Sequence, residues 1–348
     1  MSKKAKLLRN VFWIFGVLLV IACGIGYWLY DWIYKANVPD QLSTEILYIP
    51  TGTSYDDVLK RLTDGGFIHK VNSFDWVAQK MNYPNQIKAG RYHIQPNWSN
   101  YHLIRHLRQG IQEPVQLTFN SVRTIAELSE KLAEQLEPDE KHFQDYLLNP
   151  RVLDSIGYSR ETLMTLFIPN TYEVYWNVTP AQLLQRMMRE HDSFWSKSGR
   201  EAKAEAQSLT PTEVYTLASI VEKESLRVDE KPRIAGVYLN RLHQGMKLDA
   251  DPTVVFAVGD FTLRRILNKH LAVDSPYNTY KYAGLPPGPI CMPSISSLDA
   301  VLNSERHEYL FFCSKMYGTG SHVFAKTITA HLVNARKLHQ YLNERGIQ

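Results

Sequence analysis

The chain has 348 residues and only three cysteines. Cys23 lies inside an apolar run, so Cys291 and Cys313 are the one possible pair, and two buried free thiols fit the sequence as well as a bridge. A disulfide framework therefore cannot stand in for a hydrophobic core. A large excess of either charge is also missing. Lys3, Lys4, Lys6 and Arg9 against Asp31 supply +3 of the net charge of +4, which leaves +1 for all remaining residues. That balance argues against a nucleic-acid surface. Serine nucleophile elbows, H-E-x-x-H metal motifs and phosphate-binding glycine loops are absent from the sequence. His102 and His106 stand at i, i+4 with no glutamate between them, which predicts a solvated pair rather than a metal site. No cofactor or metal is expected.

What is present begins with residues 11–30, twenty positions without a charge. At about 1.5 Å per residue they reach roughly 30 Å, the hydrocarbon thickness of a bilayer. The basic flank precedes the run, which predicts an uncleaved anchor with a cytoplasmic N-terminus and the bulk of the chain outside. Trp28, Tyr30, Trp32 and Tyr34 lie at its far end, where an aromatic belt belongs, and no A-x-A-like cleavage site follows. After a linker over 35–44, a strand leading to a hydroxyl residue and then a helix occurs three times. Ser54 precedes Val58 and Leu62, Ser99 precedes Leu103 and Leu107, and Thr124 precedes Leu128 and Leu132. Each hydroxyl residue is an expected N-cap.

Further along, residues 138–158 read as helical and polar, 166–172 as a break, 180–194 as an amphipathic helix and 199–207 as a charged connection. Thr210-Pro211-Thr212-Glu213 is a capping box with proline at the first helical position. Val214, Leu217, Ala218 and Val221 then define one apolar face. Glu224 falls about 20° from Leu217 on the wheel and Glu222 about 140° from it. Glu222 is therefore expected in solvent and Glu224 on the buried side. A second helix is expected over 234–242, a loop and short helix or strand from 245, a strand over 309–312, a loop over 318–325 feeding another strand, and a final helix over 330–345.

A carboxylate on an apolar helix face is desolvated, which raises its pKa, and a helix C-terminus pushes the same way. Such an acid suits cleavage of a glycosidic bond, where the leaving oxygen must be protonated. The alternative is a structural ion pair with Arg233 or Arg241. Tyr277, Asn278 and Tyr280 place rings and an amide on one loop, as a sugar polymer requires. Asp249 and Asp251 offer a second carboxylate or a cap for the segment from Pro252, with capping favoured for Asp251.

The runs Leu217-Ala218-Ser219-Ile220-Val221-Glu222-Lys223-Glu224, Val237-Tyr238-Leu239-Asn240-Arg241-Leu242, Asp251-Pro252-Thr253-Val254, Tyr277-Asn278-Thr279-Tyr280, Gly284-Leu285-Pro286-Pro287-Gly288-Pro289-Ile290 and Gly320-Ser321-His322-Val323-Phe324 occur in the order found in the endolytic murein transglycosylase family. Over nearly its whole length the chain resembles these MltG/YceG-like proteins. Asn170 departs from the family, which usually carries an acid there, and Asp249 stands where some relatives have glutamine. Residues 46–118 further resemble the strand–helix–helix–strand plan of LysM modules, which bind N-acetylglucosamine polymers; a small structural domain without a ligand is the alternative.

The resemblance implies an α+β fold with a basic tail (1–10), a transmembrane anchor (11–34), a linker (35–44), a LysM-like subdomain (45–118) and a larger catalytic domain (119–348). It implies a lytic transglycosylase that cuts the β-1,4 bond from N-acetylmuramic acid to N-acetylglucosamine in nascent peptidoglycan and terminates glycan elongation. Glu224 matches the family's catalytic glutamate; Tyr277, Asn278, Asp251 and Tyr280 are the expected substrate contacts. Glycan strands, the membrane and penicillin-binding synthases are the implied partners. The expected location is the inner membrane, single-pass, with the catalytic domain periplasmic, or the outer face of a single-membrane cell. The rivals are a lysozyme-like hydrolase using Asp249 or Asp251, and a wall-binding scaffold without activity.

Overall fold

The computed structural model describes residues 3–263, 265–315 and 320–344. Met1 and Ser2 of the basic tail, Gly318 and Thr319 of the expected loop and Arg345 at the expected end of the last helix lie outside them. The fold is mixed α and β, and the chain divides into two compact units. One comprises residues 1–115 and 173–177, the other 116–172 and 178–348.

The first unit opens with α1 (Lys3–Tyr34), of which Asn10–Tyr34 is long and apolar enough to cross a membrane. Then follow β1 (Ile46–Ile49), α2 (Tyr55–Asp64), α3 (Val71–Lys80), β2 (Gly90–His93) and α4 (Asn100–Gln109). β1 and β2 pair antiparallel, from Ile46 opposite His93 to Ile49 opposite Gly90. Ser54 and Ser99 cap α2 and α4, their Oγ atoms accepting from the N–H groups of Asp57 and His102. The apolar residues that follow each cap at helical spacing, Val58 and Leu62, Leu103 and Leu107, close over Leu47, Ile49 and Tyr92 in one core. His106 does not form the expected solvated pair with His102. Its ring packs 4.8 Å from Trp98 and 5.9 Å from Tyr92, on the core side of α4. The end of α1 is tied into this unit. Asp31 takes Lys35 at 2.9 Å and Lys70 at 3.0 Å, and the Asn100 amide donates to the Trp32 carbonyl at 2.8 Å.

The second unit carries most of β3 (Val115–Phe119), α5 (Ile125–Ala133), α6 (Glu140–Leu147), α7 (Pro150–Ile156), most of β4 (Asn170–Val174), α8 (Pro180–Ser196) and α9 (Arg200–Ala206). It continues through α10 (Pro211–Glu224), α11 (Lys231–His243), α12 (Asp251–Val258), α13 (Asn268–Leu271), α14 (Ile295–Leu302), β5 (Phe311–Ser314), β6 (His322–Ala325) and α15 (Ile328–Glu344). β3 pairs with β4, and β5 with β6 in antiparallel register. Three expectations need correction, one being the loop over 318–325, whose residues 322–325 form β6. The break over 166–172 is a 3-10 turn that runs into β4, and the charged connection over 199–207 contains α9. At that break β4 pairs with β3, and the Tyr172 ring stacks on Phe119 of β3 at 5.5 Å.

α10 is the centre of the unit. Its capping box forms as expected, with Thr210 and Glu213 exchanging hydrogen bonds. Yet its eight residues from Val214 to Val221 are all buried, so it has no wet face. A helix covered all round must satisfy its polar side chains internally. Tyr215 accordingly donates to the Phe167 carbonyl at 2.8 Å, and Ser219 donates to Thr216 O at 2.7 Å while accepting from the Ile290 N–H at 3.0 Å. Cys291 is a buried free thiol, pushed up to about 12 by burial, and Cys313 is also free.

Gly236 shows where packing overrules propensity. A Cβ on this residue of α11 would lie 2.5 Å from the Glu305 carbonyl oxygen and 2.7 Å from the His307 ring. Alanine is worth about 1 kcal/mol over glycine in an open helix, whereas forcing backbone apart in a packed interior costs about 1–3 kcal/mol. Gly236→Ala is therefore expected to lower the melting temperature by a few degrees in a calorimetric scan, and a rise would show that the segment at Glu305 yields freely.

Candidate active site

The C-terminal turn of α10 carries Glu222 and Glu224, about 160° apart around the helix. Glu222 is not in solvent, as the wheel suggested. Its Oε2 accepts from Lys231 Nζ at 2.9 Å, Ser294 N at 3.2 Å, Ser294 Oγ at 2.6 Å and Ser297 Oγ at 2.5 Å. Burial alone would raise this carboxyl, but the hydrogen bonds from Ser294, Ser297 and Lys231 outweigh it and hold the pKa below the usual value. The wheel failed because it assumed one exposed side. α11 and α14 cover the side opposite Leu217.

Glu224 has the reverse environment. It is half-buried, and its hydrogen-bond partner is neutral: the Tyr238 hydroxyl donates to Oε1 at 2.5 Å. Arg233 pairs with Glu305 at 2.9 Å and Arg241 pairs with Asp249, so neither arginine is its counter-ion. Burial pushes the Glu224 carboxyl up to about 7; the Tyr238 hydrogen bond opposes that rise and the negative charge of Asp251 adds to it. At neutral pH this group exchanges a proton readily, as a general acid and base must.

Two clefts meet at Glu224 and Asp251, each of about 480 Å³. One is walled by Phe256, Phe261 and Ile266 with Arg123 and Lys223, the other by Tyr280, Phe311 and Phe312 with Arg241 and His322. Each thus combines rings with hydrogen-bonding groups, and the Glu224 carboxyl is common to both. Such an arrangement can hold an extended polar chain across the acid rather than a small molecule beside it.

Of the other expected site residues, Asp251 and Tyr280 line the clefts with Glu224, and Asn278 and Tyr277 do not. Asp251 does not cap α12; that position falls to Ala250, and Asp251 is the first helical residue, exposed and accepting from the Tyr280 hydroxyl at 2.7 Å. Tyr280 thus lines the second cleft and also holds Asp251. Asn278 is fully buried, with its amide donating to the Leu271 and Val273 carbonyls at 2.9 and 2.8 Å and its oxygen accepting from Tyr280 N at 3.1 Å. It shapes the loop and has no group free for a substrate, contrary to expectation. The Tyr277 ring lies 4.7 Å from that of Phe256, tilted by 47°, and lines a neighbouring cavity of about 320 Å³, one ring away from the cleft at Glu224. Asp249 is held by Arg241 and stands with a φ of 50°.

The sequence assigns no role to Tyr238 or His322, and to Arg241 only that of a possible counter-ion to Glu224. The signal available was that a tyrosine on the buried face of α11 must find a partner for its hydroxyl. His322 is fixed by Glu230, which accepts from its backbone N–H at 3.1 Å and lies 2.8 Å from its Nδ1. Among the described residues no group of three His, Cys, Asp or Glu side chains could hold a metal ion.

A model of the YceG-like family matches residues 47–337. The chain is 30% identical over 314 residues to the endolytic murein transglycosylase of Bacillus subtilis, covering 84% of each. It is 27% identical over 331 residues to the protein of the same name from Streptococcus pneumoniae, covering 86% of this chain and 60% of that one. The chain therefore spans about 60% of the length of the pneumococcal relatives it matches. The crystal structure of a yceG-like protein from Listeria monocytogenes is similar with a TM-score of 0.55 at 27% identity, covering 84% of this chain and 99% of that one.

The titration of Glu224 can be measured directly. Carbon-detected NMR of the side-chain carboxyl should give a midpoint near 7, and Tyr238→Phe should move it higher, because the hydroxyl favours the charged form. A downward move would reverse the assignment. Stability has the matching sign: an unfolded glutamate releases its proton near 4.5, the folded one near 7, so wild-type stability falls as pH rises between them. Glu224→Gln should remove that slope and melt above the wild type at pH 8.

Proposed function

The chain belongs to the YceG-like family, and on that footing we propose that it is a membrane-anchored endolytic transglycosylase of peptidoglycan. The bond cut is the β-1,4 link from N-acetylmuramic acid to N-acetylglucosamine in nascent strands, and the cut ends glycan elongation. The observation that carries this reading is Glu224, poised near neutrality with a neutral partner where two clefts meet. A polymer cut internally needs room on both sides of the acid.

Tyr238 donates to Oε1, so the acidic proton resides on Oε2. Glu224 delivers that proton to the leaving oxygen as the bond from C1 breaks. Its carboxylate then takes the proton of the muramic acid's 6-hydroxyl while O6 bonds to C1, which closes the 1,6-anhydro ring. One proton leaves Glu224 and one returns, so the cycle resets without water. Asp251, steadied by Tyr280, supplies negative charge beside the oxocarbenium-like transition state. Asp249 is a poor nucleophile because Arg241 holds it, which disfavours the hydrolase that would use it.

The order β1, α2, α3, β2 supports reading residues 45–118 as a LysM-like module that holds glycan, and 119–348 as the catalytic domain. α1 would be a single span of the inner membrane with the remainder on its outer, periplasmic side, and penicillin-binding synthases are fitting partners for an enzyme that releases their product.

Digestion of purified glycan strands followed by mass spectrometry tests the reaction. Anhydro ends are expected; reducing ends one water heavier would identify a hydrolase instead. Glu224→Gln should lower cleavage by about 10²–10⁴-fold, the usual worth of a general acid, with glycan binding kept. Unchanged cleavage would leave only a scaffold. The wild-type rate should decline above pH 7, as Glu224 loses its proton.

A further inference from the structure

The first unit contains a cavity of about 1120 Å³ whose charged lining is of one sign: Lys80, Lys88, Arg105 and Arg108, with no aspartate or glutamate. Among the described residues none of these four forms a salt bridge. Arg108 donates to the Gln86 side chain at 2.5 Å and Lys88 to the Gln109 carbonyl at 3.1 Å, both neutral acceptors. In a chain whose net charge beyond its first 34 residues is only +1, this is a local concentration, and a concave wall focuses it.

The position of the cavity identifies the anion. Tyr101 lines it and its ring lies 5.6 Å from Tyr34, the last residue of α1. Lys80 sits 5.7 Å over the Trp76 ring, and that ring packs 5.4 Å from Trp28 and 5.8 Å from Trp32. Trp28, Tyr30, Trp32 and Tyr34 are the aromatic end of the apolar span, which belongs at headgroup level. The basic cavity therefore opens beside the layer where lipid phosphates lie, and guanidinium groups bind phosphate oxygens in pairs.

We propose that this cavity binds the headgroup of an anionic phospholipid and fastens the first unit to the membrane surface. The inference rests on α1 being a membrane span, which is checked separately by extraction of cell membranes with alkaline carbonate: release of the chain would refute the span, whatever the cavity binds.

The site itself is tested on the full chain in detergent micelles. Native mass spectrometry should show dihexanoyl phosphatidylglycerol binding about tenfold more tightly than the matching phosphatidylcholine, a preference worth about 1.4 kcal/mol. Lys88→Glu with Arg105→Glu, both at exposed positions, should erase it. Lys60→Glu with Arg61→Glu, the same charge change elsewhere in the unit, should retain it. Equal binding of the two lipids overturns the proposal, as does a preference that survives the first pair or falls equally with the second. Displacement of phosphatidylglycerol by inorganic diphosphate at equal concentration would assign the cavity to soluble phosphate and overturn the lipid.

Discussion

Four donors converge on one oxygen of Glu222, and that convergence lets a helix ending in two carboxylates lie inside the second unit. An unpaired buried carboxylate costs several kcal/mol. Lys231, Ser294 and Ser297 remove that cost and, in doing so, clamp the end of α10 to the start of α11 and to the cap of α14. The other side of the same turn is then fixed. Two helical turns beyond Lys231, α11 presents Tyr238 to Glu224. One helix thus holds one glutamate charged and keeps its neighbour poised near neutrality.

The two aspartates near the site are divided in the same manner. Asp249 faces a guanidinium and is spent on structure; Asp251 faces a phenol and leaves its charge to act on Glu224. Opposite environments for like groups are how a single set of carboxyls can hold and release protons at one pH. Thr279 joins the two aspartates' loop to that of Tyr280, its hydroxyl accepting from the Ala250 N–H at 3.0 Å and lying 2.8 Å from Thr253 Oγ1.

Local chemistry was legible in the sequence and long-range pairing was not. Ser54, Ser99, Thr124 and Thr210 cap the helices expected of them, because a cap is decided by three or four consecutive residues. Periodicity also separated Glu224 from Glu222. It misjudged Glu222 because a wheel records faces and not what covers them; the covering residues include Ser294 and Ser297, more than 70 positions away. Asn278 was misjudged for a related reason. An amide in a turn-rich loop has the chemistry of a sugar contact, but the carbonyls of Leu271 and Val273 occupy it first. Asp251 is displaced by one residue from the cap and, as the first residue of α12, lines the clefts.

α1 enters the first unit without a hinge, since Asp31 is gripped by Lys35 and Lys70 and the Trp32 carbonyl is taken by Asn100. A tether would let the unit wander; a stalk of this kind makes it turn with the helix. Spans tilt to match bilayer thickness, so for a membrane-inserted α1 the local thickness becomes a mechanical input that sets the attitude of the first unit.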